Sequence, residues 1–110
     1  MTRILVPVLF VFCCTAVAGQ ALKVMTYNIR FDNPEDGINA WSHRKERVFD
    51  LVRKYDPDIL GVQEALYHQL SEITSHAGNY SYIGAGRDDG RKKGEFSAII
   101  YKKDRFEVLE

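Results

Sequence analysis

Two short apolar runs, each ending in a polar residue, dominate the hydrophobic pattern of the chain. The run at 22–30 is rich in Val, Tyr, Thr and Ile and lacks Gly and Pro, which predicts a strand. The run at 59–63 predicts a second strand, directly followed by Glu64. Between them, segment 41–55 has one apolar stripe at helical spacing. The stripe consists of Val48, Leu51, Val52 and Tyr55.

The order strand, helix, strand predicts a crossover in which the two strands run parallel. Segment 65–76 predicts a second helix, and 80–85 a third strand. After a polar loop at 86–94, segment 96–102 alternates as a strand should. Segment 106–109 predicts the start of one more strand. The fold class is therefore α/β, with βαβα followed by β-hairpin strands.

The predicted sheet has only two helices to cover it. Two helices cover one face and leave the other largely bare. A bare apolar face is unusual for a secreted monomer. The pattern therefore predicts either an incomplete chain or a partner on that face.

Composition changes this picture little. The chain has 110 residues, with 15 Lys and Arg against 15 Asp and Glu. One domain of ordinary globular composition is expected. The neutral balance argues neither for nor against a nucleic-acid or membrane partner, because net charge does not describe how charge is distributed.

The N-terminus predicts a secretory signal peptide over residues 1–18. Arg3 supplies a positive charge, 4–14 is apolar apart from Pro7, and 16–18 is a small-residue cleavage site. The apolar run is shorter than the roughly 20 residues of a transmembrane helix. We therefore expect a secreted or periplasmic protein, although a buried N-terminal strand is an alternative interpretation.

Both cysteines, Cys13 and Cys14, lie inside this segment. Residues 19–110 contain no cysteine, so no disulfide is expected in the mature chain. Lipid anchoring is disfavoured, because Phe12 stands where a lipoprotein signal has a small residue.

Glu64 is the strongest candidate for chemistry. A lone carboxylate after an apolar strand is costly to bury unless it is paired or bound to a cation. Mg²⁺ takes one or two carboxylates together with waters and phosphate oxygens. Alternatively, Glu64 begins the next helix, where the positive end of the helix dipole favours it. The residue alone leaves both interpretations open.

Asn28 lies near the end of the first strand, so a parallel crossover brings it to the same sheet edge as Glu64. Its amide can hydrogen-bond a phosphate oxygen, an attacking water or a ligand carboxylate. Alternatively, it is a turn residue that bonds its own backbone. The polar loop 31–39 begins just after it and is expected near the same site.

The loop 84–95 carries several basic residues. Arg87 is a candidate for a bidentate phosphate contact, and Glu95 for the group that orients Arg87. The alternative is a solvated hairpin loop. The histidines His43, His68 and His76 show no metal-ligand spacing, and no motif supports serine or cysteine nucleophiles.

Three stretches resemble the endonuclease/exonuclease/phosphatase superfamily, most of all its secreted bacterial members. They are Thr-Tyr-Asn-Ile-Arg at 26–30, Pro-Asp-Ile-Leu-Gly-Val-Gln-Glu at 57–64, and Gly-Arg-Asp-Asp-Gly with Gly-Glu-Phe-Ser-Ala-Ile-Ile-Tyr within 86–101. The resemblance covers 22–110. The Asn strand and the Gln-Glu strand together make it specific.

The resemblance implies a four-layer α/β sandwich (DNase I-like) that hydrolyses phosphate esters with Mg²⁺ or Mn²⁺. On that pattern Glu64 is the metal ligand and Asn28 the active-site amide, while Arg87 and Glu95 lie where substrate approaches. Nucleic acid, phospholipid, phosphoinositide and small phosphoesters all remain open as substrates.

The family domain is more than twice as long as this chain. Its second half supplies an Asp-x-Asn pair, further acidic residues and a terminal His near an Asp. We therefore expect 19–110 to be the N-terminal half of the domain, to fold poorly alone and to lack activity alone. Two alternatives are a secreted binding module without catalysis and a nucleic-acid-binding protein. The second would need a basic stripe larger than Arg91-Lys92-Lys93 and the basic face of the first helix.

Overall fold

A computed structural model describes residues 19–110, which form one four-stranded sheet with two α-helices. The predicted signal peptide and both cysteines lie outside the described residues. The elements are β1 (Val24–Asn28), a 3-10 helix (Pro34–Asn39), α1 (Trp41–Tyr55), β2 (Ile59–Ala65), α2 (Tyr67–His76), β3 (Tyr80–Ile83) and β4 (Phe96–Lys102). The predicted α/β class is confirmed. Neither α-helix in this part of the chain is long and apolar enough to cross a membrane.

The strand order in the sheet is β1-β2-β4-β3. β1 pairs in parallel with β2, which confirms the predicted crossover, and Asn28 lies opposite Gln63. β4 runs antiparallel to both β2 and β3, so the predicted hairpin is confirmed. The sequence pattern did not predict that β4 would lie between β2 and β3. That insertion places the base of the hairpin loop beside the end of β2.

One face of the sheet is buried under both helices. Leu60, Val62 and Ile100 of the strands share a core with Phe49 and Val52 of α1, and with Leu70 and Ile73 of α2. The predicted stripe of α1 was partly wrong. Phe49 is buried, whereas Leu51 is only half-buried and Tyr55 is 55% exposed. In an α-helix the eighth residue after Trp41 returns to the same face, which is why Phe49 joins Trp41 and Val52.

The opposite face of the sheet exposes apolar side chains, as the small number of helices predicted. Val24, Ile83 and Ile99 lie on it, with 66%, 40% and 46% of their surfaces exposed. Among residues 19–110, both α-helices pack on the other face, since their buried residues belong to the core there.

Several predicted boundaries were wrong. β1 spans only Val24–Asn28 and β3 ends at Ile83. Ala65 belongs to β2 rather than to the second helix, which begins at Tyr67. Segment 106–109 is not a strand, because within 19–110 it pairs with no strand of the sheet. The N–H of Phe106 instead donates to Lys102 O across the turn that follows β4.

Candidate active site

The parallel pairing of β1 and β2 brings Asn28 and Glu64 together at one edge of the sheet. Nδ2 of Asn28 donates a hydrogen bond to Oε1 of Glu64 over 3.1 Å. These residues are 36 positions apart in sequence, so the contact depends on the crossover and its register. The amide and carboxylate expected at one sheet edge are therefore in direct contact.

The other end of the Asn28 amide is also occupied. Its Oδ1 accepts a hydrogen bond from the backbone N–H of Arg30 over 3.0 Å. This is the local turn that the alternative interpretation of Asn28 expected. Because one oxygen and one nitrogen are both engaged, the turn fixes the side chain in the orientation that holds Glu64.

Glu64 lies at an irregularity of the sheet. The pairing of β2 with β4 shifts register between Val62 and Ala65, and the φ angle of Glu64 is 60°. Such bulges redirect a side chain locally and occur often near active sites. Since α2 begins only at Tyr67, the interpretation of Glu64 as a helix-initiating residue was wrong.

Arg87 and Glu95 form an ion pair close to Glu64. Nη1 of Arg87 is 2.7 Å from Oε2 of Glu95, and the Arg87 side chain is 71% exposed. Glu64, Arg87 and Glu95 line an open cavity of about 350 Å³, together with Ala85, Phe96 and Ser97. The structure thus gathers three of the four predicted site residues around one cavity, and Asn28 adjoins it through Glu64.

The loop that carries Arg87 is ordered by its own backbone. Gly86 N–H donates to Arg91 O over 2.9 Å, and Asp88 N–H donates to Lys93 O over 3.1 Å. A side chain at Gly86 would bring its Cβ within 2.2 Å of Lys93 O, so this close approach requires glycine. The loop is therefore a defined support for Arg87 rather than a freely solvated hairpin end.

Charged groups reinforce this loop. The backbone N–H groups of Lys93 and then Arg91 hold the pKa of Asp89 below its ordinary value. Lys92 lies over the Tyr67 ring, 4.6 Å from its centroid, and its proximity lowers the pKa of the Tyr67 phenol. The second contact joins the loop to the first turn of α2.

Arg30 was not among the site residues predicted from the sequence. Its guanidinium makes two hydrogen bonds to Asp36, of 3.0 and 2.9 Å. This pairing raises the pKa of Arg30, with smaller contributions from the charges of Glu64 and Glu95, and it lowers the pKa of Asp36. The polar loop 31–39 was expected near the site, but no sequence signal singled out Arg30 within the strand motif.

Gln69, which is fully buried in α2, was not among the predicted site residues either. Its Oε1 accepts hydrogen bonds from the N–H groups of Leu66 and Asp32, and its Nε2 donates to Arg30 O. A usable signal was present, because Gln69 falls three residues after Leu66 on the face that also carries Leu70 and Ile73. A polar residue on an apolar stripe is usually hydrogen-bonded to something specific.

A candidate metal ligand follows from these contacts. Among residues 19–110, Oε2 of Glu64 has no protein hydrogen-bond partner, and Glu64 lines the cavity, so one of its carboxylate oxygens is left for a ligand. That part of the chain has no cluster of three or more His, Cys, Asp or Glu side chains that could hold a metal. Within the same residues, the imidazole of His68 is paired with Asp32: the distance from its Nε2 to Oδ2 of Asp32 is 2.8 Å.

Comparison with known proteins decides the family. A model described as the Endonuclease/Exonuclease/phosphatase family matches residues 25–109. The chain belongs to this family. The resemblance found in its sequence motifs is thereby confirmed.

Solved members of the endonuclease/exonuclease/phosphatase family have the same fold. Bacteroides thetaiotaomicron mannosyl-6-phosphatase is 41% identical, with a TM-score of 0.77 over 82% of this chain. An endonuclease/exonuclease/phosphatase family protein from the same species is 42% identical, with a TM-score of 0.76 over 81% of this chain. The chain spans 34% of the length of each of these structures.

A curated relative is more distant. The CCR4-Not complex 3'-5'-exoribonuclease subunit Ccr4 of Mycosarcoma maydis is 28% identical over 111 residues. That alignment covers 83% of this chain and 16% of the relative. The shared region in this family therefore corresponds to a minor part of each relative.

Proposed function

We propose that the chain contributes to a divalent-metal-dependent hydrolysis of phosphate esters. The observation that carries this proposal is the Asn28–Glu64 pair, held at 3.1 Å beside a cavity that Arg87 also lines. Family membership supports it, because relatives named for phosphoester cleavage include an exoribonuclease and a sugar phosphatase.

The residues present suit Mg²⁺ or Mn²⁺. Glu64 offers a hard carboxylate oxygen, and Mg²⁺ is typically held by one or two carboxylates, waters and substrate phosphate oxygens. A structural Zn²⁺ site would instead need four protein ligands, and residues 19–110 contain no such cluster. When bound, a divalent ion neutralises charge on the phosphoryl oxygens during in-line attack by water.

Each site residue has a distinct role in this proposal. Glu64 binds the metal through the carboxylate, and Asn28 holds that carboxylate in place through Nδ2. Arg87 binds an anionic oxygen of the substrate, for which its exposed guanidinium is suited. Glu95 orients Arg87 through their ion pair. Preorganised charges of this kind stabilise the transition state without reorganising during the reaction.

The common chemical feature of the substrate is the phosphate ester itself. The named relatives act on very different leaving groups, so the proposal includes nucleic acid, phospholipid, phosphoinositide and small phosphoesters. None of these four residues has the role of general base in this proposal. We therefore propose that the 110-residue chain alone shows no turnover, and that activity belongs to the product of the complete reading frame that contains it. We also propose export through the segment 1–18.

The test replaces Glu64 by Gln in that complete product and measures two properties. Mn²⁺ binding is measured as the loss of the electron paramagnetic resonance signal of the free ion. Turnover is measured with bis(p-nitrophenyl) phosphate as the substrate. We expect Glu64→Gln to weaken Mn²⁺ binding by more than about tenfold, since even outer-shell partners of a metal contribute that much. Turnover should fall at least in parallel.

Glu46→Gln is the matched control, because Glu46 is exposed on α1 and undergoes the same chemical change. It should alter neither property. Equal Mn²⁺ affinity in wild type and Glu64→Gln would contradict the proposal, as would metal-dependent turnover by residues 19–110 alone.

The alternative is a secreted binding module that uses the same sheet without catalysis. It predicts cooperative unfolding of residues 19–110 at a urea midpoint that Mg²⁺ does not change, and no phosphoester turnover by the complete product. The exposed apolar sheet face argues against it, because an isolated module would leave that face in water.

A further inference from the structure

We propose that Gln69 is a positioning residue that holds the Asn28 and Glu64 arms of the site in one fixed arrangement. The role in metal binding rests on the proposed function, whereas the positioning itself does not. Gln69 touches neither Asn28 nor Glu64, so it acts through the backbone that follows each of them.

Gln69 ties together the two backbone segments that leave the site. Its Oε1 accepts from the N–H of Asp32 over 3.1 Å and from the N–H of Leu66 over 2.9 Å. Its Nε2 donates to the carbonyl oxygen of Arg30 over 2.9 Å. Arg30 and Asp32 follow Asn28 by two and four residues, and Leu66 follows Glu64 by two. One amide therefore bonds both arms.

Both arms contain backbone that would not hold its shape unaided. Arg30 and Glu64 have φ angles of 58° and 60°, in the left-handed region that residues other than glycine seldom adopt. Such conformations persist only where the surrounding contacts fix them. The Arg30 N–H is also the donor that orients Asn28. A change at Arg30 is therefore transmitted directly to the Asn28 amide.

The three bonds require the amide group of glutamine. Two partners are donors and one is an acceptor, so the side chain must supply an oxygen and an N–H together. Arg44 also donates to Arg30 O, through Nη2 over 2.8 Å, which gives that carbonyl a second partner. The N–H groups of Asp32 and Leu66 donate to Oε1 of Gln69. We expect these two groups to be affected most when Gln69 is replaced.

A purely structural role would look different in experiment. Gln69 is buried against the same core as Ile73, one turn further along α2. If Gln69 only filled space, its replacement would resemble a volume change at Ile73. A positioning role predicts a change that is localised at Asn28 and at the metal, beyond any loss of overall stability.

The experiment compares Gln69→Met with Ile73→Val in the complete product. Methionine retains the length of the side chain but makes none of the three hydrogen bonds. The readouts are the side-chain NH₂ resonances of Asn28, the exchange of the Asp32 and Leu66 amide protons, the Mn²⁺ affinity and the urea midpoint. The Asn28 resonances report its bond to Glu64 directly.

We expect Gln69→Met to move the Asn28 resonances towards those of a free amide and to remove protection at Asp32 and Leu66. The Mn²⁺ affinity should fall on the order of tenfold, as for other outer-shell residues. Ile73→Val should lower the urea midpoint but leave the Asn28 resonances and the affinity unchanged. The proposal is overturned if Gln69→Met leaves the Asn28 resonances in place, or if both variants shift them equally.

Gln69→Glu serves if Gln69→Met does not fold. This variant is measured at a pH high enough to ionise the new carboxyl group, which then still accepts from Asp32 and Leu66 but cannot donate to Arg30 O. Protection at those two amides should then persist, while the Asn28 resonances move. Their persistence at the wild-type position would contradict the proposal. A wild-type protein that binds no Mn²⁺ would refute the proposed function, and the resonance and exchange measurements would still decide the role of Gln69.

Discussion

Strand β2 has a carboxylate at each end, and the two differ in almost every respect. Asp58, just before the strand, is 3% exposed. It accepts from Lys23 N–H over 2.9 Å and from Arg105 over 2.5 Å, and Lys102 lies 3.3 Å away. Glu64, near the other end, is half-buried, has one amide partner and faces an open cavity.

The pKa of Asp58 shows what this environment does. The backbone N–H of Lys23, aided by Arg105 and Lys102, lowers the pKa of Asp58 to about 2 in spite of its burial. Its donors come from the segment before β1, from the end of β4 and from the turn that follows β4. Folding thus engages both carboxylate oxygens of Asp58 at the start of β2, whereas it leaves one oxygen of Glu64 for a ligand. Asp58 is therefore a structural carboxylate, and Glu64 is one that can still bind a ligand.

Asp58→Asn should destabilise the fold much more than Glu64→Gln. It removes the negative charge that Lys102 and Arg105 face, and breaking one side of a buried ion pair leaves the other side uncompensated. Glu64→Gln should change the free energy of unfolding by no more than about 0.5 kcal/mol, which is the usual range for substitutions at partly exposed positions.

Urea unfolding of both variants at neutral pH measures this difference. The effect on Mn²⁺ binding should be reversed, with a loss in Glu64→Gln only. Equal destabilisation by the two substitutions would show that the two carboxylates are not distinct in the way proposed.

Acid should destabilise the protein through the Asp58 end of β2. A carboxylate with a lowered folded-state pKa stabilises the fold above its unfolded value, and this contribution disappears as the pH falls through the folded value. For Asp58 the window runs from its ordinary value of 3.8 down to about 2. The lowered pKa values of Asp36, Glu72 and Asp89 act in the same direction.

Urea midpoints measured between about pH 5 and pH 2 follow this loss. We expect a shallower decline for Asp58→Asn than for the wild type, since the main contributor is gone. Glu64→Gln retains Asp58 and should keep the steep decline. Parallel curves for the wild type and Asp58→Asn would assign the acid sensitivity to other groups.

Tyr80→Phe should have a smaller effect at the same end of the sheet. The buried hydroxyl of Tyr80 donates to Pro57 O over 2.7 Å. Its removal leaves that carbonyl without this donor, at a cost of about 1 kcal/mol in the free energy of unfolding.

Tyr82→Phe is the matched control, because Tyr82 is only half-buried and its hydroxyl has no protein partner among residues 19–110. It should change stability by less than about 0.5 kcal/mol. Urea unfolding that ranks Tyr82→Phe at or above Tyr80→Phe would contradict the assignment.

Much of the fold follows from local pattern. The alternation of β4 and the apolar runs of β1 and β2 are properties of a few consecutive residues, and a right-handed crossover is nearly obligatory for parallel strands. These rules suffice to bring Asn28 and Glu64 to one edge. The number of helices likewise suffices to predict the exposed face with Val24 and Ile99.

The rest depends on partners distant in sequence. The bulge that turns Glu64 arises from pairing with β4, which no local pattern placed beside β2. Gln69 gains its role from Arg30 and Asp32, 39 and 37 residues away.

The carboxylates at the two ends of β2 show most clearly what local sequence decides and what tertiary contacts decide. In the sequence, Asp58 and Glu64 flank the same apolar run, and the hydrophobic pattern of that run does not distinguish an acid that closes the sheet from one that lines a cavity. Tertiary structure made that choice by bringing Lys23 and Arg105, 35 and 47 residues away, to Asp58. The sequence determined where the carboxylates stand, and the long-range donors decided which one remained available, because hydrogen-bonding capacity used in folding cannot also bind a ligand.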